Sequence, residues 1–502
     1  MICYTIAQES RRLALADMLN AAALGADLVE VRLDIFQQDP DPKELLNARR
    51  KPVIFSCRRP LDGGNWQGSE EDRIKLLKMA IVSNPDYCEI ESDIADEIRR
   101  FGSCQRVISY TNLTETPSDI ADIYEEMRGK DPDIIKLTCK ARTPEEAWPL
   151  VQILAKPPLP TVVVGLGRPG AMLTILGRRM GAPWTVAALE KGAEAYPGQP
   201  TARELEQVYH YRTIDRQTTF VGVTGLGERE FLNTALLNAA FAQAGLPLRC
   251  LPLQVGNVKL FRKVMEAVKL LGVVIEEDQQ DALREIVAVL DANAEGAILN
   301  QGGMPVELAV DLLVKEQDKQ WHGASTFTNG AVSMLEATLQ ANGKTLDGAM
   351  VMMAGLDSTA RSLARGIKER GGKLIFAGHN RDDGVRFSRQ FGGRHVGFEG
   401  IYSIMHDVLV VCGLPSRTGK GVDDSDGALH PGYLKAGMTV MDVTGIPRKT
   451  PFLSEAQARG CAVVSPRDLL IEQVRAQVKR LTELDVRRTL LEKTLDALIE
   501  EE

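Results

Sequence analysis

From residue 1 to about residue 190 the chain alternates short apolar runs, rich in β-branched residues, with stretches whose apolar residues recur at helical spacing. The runs ICYTIA (2–7), LVEVRLD (28–34), PVIFSCR (52–58), YCEIE (87–91), RVISYT (106–111), IIKLTC (134–139), TVVVGLG (161–167) and TVAAL (185–189) predict eight strands. Segments such as RRLALADMLNAAALGA and EEDRIKLLKMAIVS predict the helices between them. Near-continuous apolar strands that alternate with helices imply a parallel sheet covered on both faces. Eight such units in so short a span favour a closed (β/α)8 barrel, with a doubly wound open sheet as the alternative.

Residues 196–218 read as a closing helix and a linker. A second α/β unit opens at TTFVGVTG (218–225). A third βα pattern starts at AMVMMAGLDSTARSLARGIKERGGKLIFAGHN (349–380), where a strand, a glycine-containing turn, a helix and another strand follow in order. Residues 466–502 are charged and leucine-periodic, which predicts a long surface or partner-packing helix. The expected division is a barrel over 1–210, an α/β domain over 219–335, a Rossmann-type domain over 336–480 and a helical extension over 481–502.

A length of 502 residues exceeds one ordinary core and fits several domains. The formal net charge of −8 argues against nucleic acid or an anionic membrane as partner, and leaves a small anionic metabolite open. The eight cysteines are scattered without a CxxC pair, which points to buried free thiols in a reducing compartment. MICYTIAQES enters a strand directly, with no basic segment and apolar core of a leader ahead of it, so the expected location is cytoplasmic. The six histidines show no paired ligand spacing, and no metal is expected.

Chemistry on such a barrel collects at the C-terminal ends of the strands. The polar residues there are Glu30 and Arg32 on strand two, Arg58 on strand three, Thr111 on strand five and Lys136 on strand six, with Arg178 after strand seven. Lys136, between Ile134, Ile135 and Leu137, is the most informative. A desolvated lysine near arginines is more easily neutral, and a neutral amine attacks carbonyls. A structural ion pair with Glu30 or Asp62 is the alternative.

EVRLD (30–34), CRRPLDGGNWQGSEEDR (57–73), SYTNLTETP (109–117), DIIKL (133–137), GRRMG (177–181) and AYPGQPT (195–201) occur in the order and register of type I 3-dehydroquinate dehydratases. The resemblance covers nearly all of residues 1–210. It implies a dimeric (β/α)8 barrel that dehydrates 3-dehydroquinate without a cofactor, through an imine on Lys136. It also implies that Glu30, Arg32, Arg58, Arg178 and Gln199 hold the substrate. The family's acid–base histidine falls at Thr111, and residues 1–209 contain no histidine at all. Its acidic partner is the shorter Asp62, and a family serine is Ala195.

Residues 219–480 resemble shikimate dehydrogenase, in the order of the plant-type bifunctional fusion. The resemblance is carried by LNAAFAQAGLPLRCLPLQV (237–255), GASTFTNGAVSMLEATL (323–339), AGLDSTARSLA (354–364), NRD (380–382), DVTGIPRKTPFL (442–453) and LLIEQV (469–474). Most of the family's functional positions are replaced. Its substrate serines fall at Phe231 and Asn233, its aspartate at Phe327 and its tyrosine at Gly445, while Gln473 is kept. The region expected to hold its lysine, 296–314, contains none. The nucleotide turn, GxGGxxR in the family, keeps Gly355 and Arg361 but has Asp357 and Ser358 in place of its other two glycines, and Asn380 and Arg381 survive. The resemblance therefore implies a dehydratase fused to a dehydrogenase-like domain with little or no activity, with weak NADP binding left open. A binding or regulatory protein of the same ancestry, and a different lyase reusing Lys136, are the alternatives.

Overall fold

The computed structural model describes residues 1–196, 198–225, 227–276, 283, 286, 289–290, 310–412, 429–443 and 450–499. Two compact units emerge. One comprises residues 1–226 with 241–270, the other residues 227–240 with 271–502.

Eight strands of the first unit lie where the apolar runs predict: β1 (Ile2–Ile6), β2 (Leu28–Arg32), β3 (Val53–Ser56), β4 (Tyr87–Glu91), β5 (Gln105–Asn112), β6 (Ile134–Lys140), β7 (Thr161–Leu166) and β8 (Thr185–Ala187). Their ladder runs β7-β6-β5-β4-β3-β2-β1-β8, which is barrel order, and every pairing is parallel. Cys3, Leu28, Ile54, Val107, Ile134, Val162 and Val186, one from each of seven strands, meet in one buried cluster with Trp184. That cluster fills the lumen and draws β7 and β8 into the same core.

Helices α1 (Arg11–Ala23), α2 (Pro42–Asn47), α3 (Glu70–Val82), α4 (Ile120–Arg128), α5 (Pro144–Ala155) and α6 (Ala171–Met180) return the chain between strands. Local chemistry starts several of them: Ser10, Ser69 and Thr143 cap α1, α3 and α5 through their hydroxyls. A capping box of Thr201 and Glu204 starts α7 (Ala202–Gln207), the expected closing helix. Strand β9 (Thr219–Thr224) follows, then α8 (Glu228–Gln243), β10 (Leu248–Leu253), parallel to β9, and α9 (Val258–Val268). The barrel helices hold this later segment: Glu145 on α5 accepts from the Asn257 N–H at 2.8 Å, and Arg179 on α6 donates to the Val268 carbonyl at 2.6 Å.

In the second unit β11 (Leu270–Val274), β13 (Leu312–Lys315) and β14 (Trp321–Ala324) pair antiparallel, with β12 (Val289–Leu290) parallel to β14. Helix α10 (Thr326–Ala341) leads into a wholly parallel sheet. That sheet contains β15 (Met350–Ala354), β16 (Lys373–Ala377), β17 (Arg394–Val396), β18 (Val408–Val411), β19 (Thr439–Asp442) and β20 (Ala462–Val464) in the order β17-β16-β15-β18-β19-β20. This doubly wound order places a topological switch point between β15 and β18. Helices α11 (Ser358–Glu369) and α12 (Arg381–Phe391) carry the chain from β15 to β16 and on to β17.

The C-terminal segment corrects the expectation of a single surface or partner-packing helix over 466–502. The short α13 (Gly400–Ser403) and α14 (Pro451–Ala458) precede it; it then divides into α15 (Pro466–Thr482) and α16 (Arg488–Ile499). The break falls at Glu483, whose backbone is left-handed with φ 62°. Helix α15 buries Leu469, Leu470, Ile471, Gln473, Val474 and Gln477, so its leucine period marks a core helix.

Candidate functional site

Side chains along a strand alternate faces, so a residue two places beyond a lumen residue also faces the lumen. Counting on from the apolar cluster places Glu30 after Leu28, Ser56 after Ile54, Ser109 and Thr111 after Val107, and Lys136 after Ile134. The register agrees, pairing Ser109 with Lys136 and Thr111 with Thr138. Glu89 follows Tyr87, which packs on the same cluster. The strands thus deliver carboxylates, hydroxyls and one lysine to the C-terminal end of the barrel, above a buried apolar floor.

The charged groups there form one buried network. Lys136 Nζ donates to Glu89 Oε2 at 2.7 Å and lies 3.9 Å from Glu30 Oε2. Arg58 donates through Nη2 to Glu30 and, at 3.2 Å, to Glu89. Ser56 donates to Glu30 at 2.7 Å. Lys136, Glu30 and Glu89 are all no more than 3% exposed. Two carboxylates thus face two cations, which is what allows four charges out of water. Burial works against the charge on Glu30. Arg58, Lys136 and Arg32 outweigh it and, with the Ser56 hydrogen bond, hold its carboxyl well below the usual range.

Two donors in this region are unspent. Arg58 Nε and Gln199 Nε2 are buried without a hydrogen-bond partner. Gln199 is held by its other end, where Oε1 accepts from the Ala195 N–H at 2.7 Å. The same loop supplies Tyr196, whose carbonyl accepts from the Gln199 N–H at 3.1 Å. Burial raises the Tyr196 hydroxyl's pKa, with Arg58 opposing and Glu30 reinforcing the shift. Buried donors left open beside this charge-balanced network suit a ligand rich in oxygen acceptors.

The remaining predicted residues divide. Thr111 sits half-exposed beside Thr138, one step up the lumen from the Ser109–Lys136 pair. Arg32 is buried and committed: its Nε and Nη2 bind Asp34 at 2.9 and 2.6 Å, and Nη2 also reaches the Gly63 carbonyl at 3.2 Å. Asp62 accepts from Arg59 Nε at 2.7 Å, within a rim network that continues from Arg59 to Asp93. Burial pushes the Asp62 carboxyl up despite Arg59. Lys136 therefore pairs with Glu89, with Glu30 at the edge of ion-pair distance, and has no ion pair with Asp62.

Arg178 is not brought to this site, which corrects the expectation. It lies in the last turn of α6, seven residues after the helix start and about 10 Å along its axis at about 1.5 Å per residue. The helix runs back from the C-terminal end of β7 toward the start of β8, so Arg178 reaches the opposite mouth of the barrel. There it lies 5.9 Å from the Tyr211 ring centroid and lowers the pKa of the Met1 amino group, second to burial.

Glu89 and Tyr196 were missed from the candidate residues. A carboxylate at the centre of the apolar strand YCEIE was a legible signal for Glu89. Tyr196 has no comparable mark, because its position depends on how the β8–α7 loop closes over the lumen.

In the doubly wound sheet, Gly355 ends β15 with φ 92°, and its N–H donates to the Ala377 carbonyl of β16. The turn brings the N-terminus of α11 to the sheet edge, but Asp357 caps it, accepting from the Ala360 N–H at 2.7 Å. The Arg361 guanidinium lies 5.2 Å from the Phe387 ring centroid. Asn380 caps α12 by accepting from the Asp382 N–H at 2.9 Å, and Arg381 is exposed next to it. Of Ser358 only the backbone is described.

A second buried polar group joins α10, α15 and α8. Asp311 accepts from the Thr326 N–H and hydroxyl at 2.7 and 2.8 Å, from the Phe327 N–H, and from Gln473 Nε2 at 3.1 Å. Burial raises its carboxyl above the usual range against these donors. Gln473 Oε1 accepts from Arg229, whose guanidinium lies 5.9 Å from the Phe327 ring centroid. Asn233 donates to Glu276 at 2.8 Å, and Phe231, two residues earlier on α8, is half-buried. Gly445 and residues 296–309 lie outside the described residues.

A family model described as type I 3-dehydroquinase matches residues 2–216. The 3-dehydroquinate dehydratase of Archaeoglobus fulgidus is 31% identical over 187 residues, which are 36% of this chain and 88% of that protein. The bifunctional 3-dehydroquinate dehydratase/shikimate dehydrogenase of Arabidopsis thaliana, named as chloroplastic, is 24% identical over 512 residues, covering 98% of this chain and 83% of that protein. A solved structure described as dehydroquinate dehydratase and shikimate dehydrogenase from S. pombe covers 98% of each chain at 17% identity, with a TM-score of 0.45.

Proposed function

The chain belongs to the type I 3-dehydroquinase family through residues 2–216, and from that premise we propose that its barrel converts 3-dehydroquinate to 3-dehydroshikimate through an imine on Lys136. A shikimate-dehydrogenase-like domain is fused behind it. The observation that carries the dehydratase reading is Lys136, buried at the catalytic end of the barrel within ion-pair range of two carboxylates. Close by, Arg58 and Gln199 keep unspent donors for the oxygens of a hydroxylated carboxylic acid. An imine to the ring ketone draws electrons from the adjacent C–H bond, so a base can remove that proton and the β-hydroxyl can leave. Glu30, Arg58 and Gln199 bind the substrate in this scheme. Arg32, committed to Asp34 and the Gly63 carbonyl, supports the loop after β3, and Arg178 has no part. Thr111 cannot cycle a proton near neutral pH as imidazole does, so the rate is lower by about 10²–10⁴-fold than a histidine would allow.

In the second half the reading is loss of shikimate dehydrogenase activity. Phe327 can neither accept from a hydroxyl nor relay a proton, and Asp357 places a negative charge where a pyrophosphate would dock on α11. NADP is at most a weak ligand there, through Gly355, Asn380 and Arg381. The proposed functional division is a dehydratase barrel over 1–210, a substrate-domain remnant over 219–335, a Rossmann-type domain over 336–480 and a helical extension over 481–502. The barrel needs no cofactor and is a homodimer in this reading. All eight cysteines are buried free thiols, which suits a reducing compartment such as the cytoplasm. Among the described residues no helix is long and apolar enough to cross a membrane.

The test is the rise in enone absorbance when purified protein meets 3-dehydroquinate. A saturable rise that vanishes in Lys136→Ala is expected. A flat trace from folded protein would favour a binding or regulatory role, to which Thr111, Ala195 and Asp357 already point.

A further inference from the structure

Groups from β1, β2, β3, β4, β5, β7 and the β8–α7 loop surround Lys136; the Cys3 thiol on β1 is among them, and burial pushes it too far up to exchange a proton near neutral pH. Glu30 and Ser56 face it from β2 and β3, Glu89 from β4, and Ser109 with Thr111 from β5. Val162 stands beside it on β7, and Tyr196 and Gln199 belong to the loop over Arg58 and Glu30. A proton carrier for the lysine must touch Nζ and be able to exchange a proton near neutral pH. The hydroxyls of Ser56, Ser109 and Thr111 fail the second condition, as does the Tyr196 phenol, which burial pushes further up. Asp62 fails the first, being tied to Arg59. Glu30 stands 3.9 Å away and is occupied by Arg58 and Ser56. Glu89 alone among the described ionisable groups is hydrogen-bonded to Nζ, at 2.7 Å.

We infer that Glu89 is the proton carrier of Lys136, moving protons between Nζ and the carbonyl oxygen as the imine forms and hydrolyses. The inference rests on the imine reading given above. A protonated lysine and a ketone become an iminium and water. The nitrogen forms a double bond to carbon, the carbon–oxygen double bond is broken in two stages through the carbinolamine, and two protons pass from nitrogen to that oxygen. Glu89 takes the first, which frees the lone pair to attack, and passes it to the oxygen of the carbinolamine. It takes the second and delivers it as the hydroxyl departs as water. It ends as a carboxylate beside the iminium, its charge matched as it was to the ammonium. Arg58, 3.2 Å from the same carboxylate, stays in place throughout and faces the charge that Glu89 regains after each transfer.

The experiment measures the rate at which 3-dehydroquinate and cyanoborohydride add a reduced adduct to the full-length chain, followed by intact mass between about pH 5.5 and 9. Glu89→Gln should slow trapping about 10²–10⁴-fold near neutrality. The deficit should shrink as pH rises, because hydroxide then takes the proton that Glu89 otherwise accepts. Glu89→Ala should be slow too and should be accelerated by added acetate, in proportion to its concentration, as a merely structural loss would not be. Should Glu89→Gln fail to fold, Glu89→Asp keeps the charge and withdraws the carboxylate, and is expected to be slowed with an altered pH profile. Trapping by Glu89→Gln at the wild-type rate overturns the inference and leaves the imine intact. Slow variants that acetate does not recover also overturn it, in favour of a positioning role. Absence of any adduct in the wild type overturns the imine reading and this inference together.

Discussion

Replacing Thr111 by histidine tests whether the barrel has kept its pocket and lost only its proton shuttle. Thr111 lies on the lumen face two residues beyond Ser109, the register partner of Lys136. With about 3.3 Å per residue along a strand and about 4.8 Å between strands, its Cα is roughly 8 Å from that of Lys136. Side chains from both positions then converge on a substrate held between them. Thr111 is half-exposed, so an imidazole there is only partly desolvated and should titrate near its ordinary value of about 6.5. A correctly placed acid–base group is worth about 10²–10⁴ in rate, or roughly 3–5 kcal/mol of barrier. Thr111→His should therefore raise kcat for 3-dehydroquinate by that order, followed by enone absorbance. The new activity should rise with pH through a limb near the imidazole's value. A variant that folds, still traps an adduct on Lys136, and gains less than about tenfold would refute the placement of Thr111 at the lost acid–base position.

Three further outcomes follow from the same geometry. Lys136→Ala leaves Glu89 and Glu30 with Arg58 as their remaining buried cation in the network. It should cost about 3–5 kcal/mol in urea unfolding, and a loss under about 1 kcal/mol would mean the network is wetter than it looks. Glu91 is pushed up by burial to about 7 from 4.5, with Arg73 opposing. Its folded value is thus raised, so the folded state holds that proton more tightly and stability should fall as pH rises from about 4.5 to about 7. The rise from 4.5 to about 7, at about 1.36 kcal/mol per pH unit, caps the effect at about 3 kcal/mol, and Glu91→Gln should flatten that slope in chemical denaturation. An unchanged slope would exclude Glu91 as its source. Asp357→Gly removes a carboxylate from the N-terminus of α11 for a few tenths of a kcal/mol in capping. It should tighten NADP+ binding at least about tenfold by calorimetry, and no change would show that other positions in the turn exclude the dinucleotide.

The strands and their lumen faces were legible in the sequence because both are local. A β-branched apolar run specifies a strand, and a period of two specifies which residues share a face. Lys136, Glu30 and Arg58 could accordingly be placed together from the one-dimensional pattern, and the structure brings all three into one network. Chain order likewise indicated the parallel sheet of β15 to β20, since alternating strands and helices allow few other solutions. What the linear pattern did not contain was depth along a helix, the path of a loop and the choice of ion-pair partner. Arg178 sits among motif residues, yet the rise of α6 carries it to the far mouth of the barrel. Tyr196 enters the site only because its loop closes over β8, and the leucines of residues 466–502 turned inward because α15 found a core to fill. Lys136 chose Glu89 over Asp62 because the barrel sets β4 and β6 to face one lumen while Arg59 holds Asp62 on the rim. Those choices are made by distances between segments far apart in sequence, and only packing of the whole barrel sets such distances.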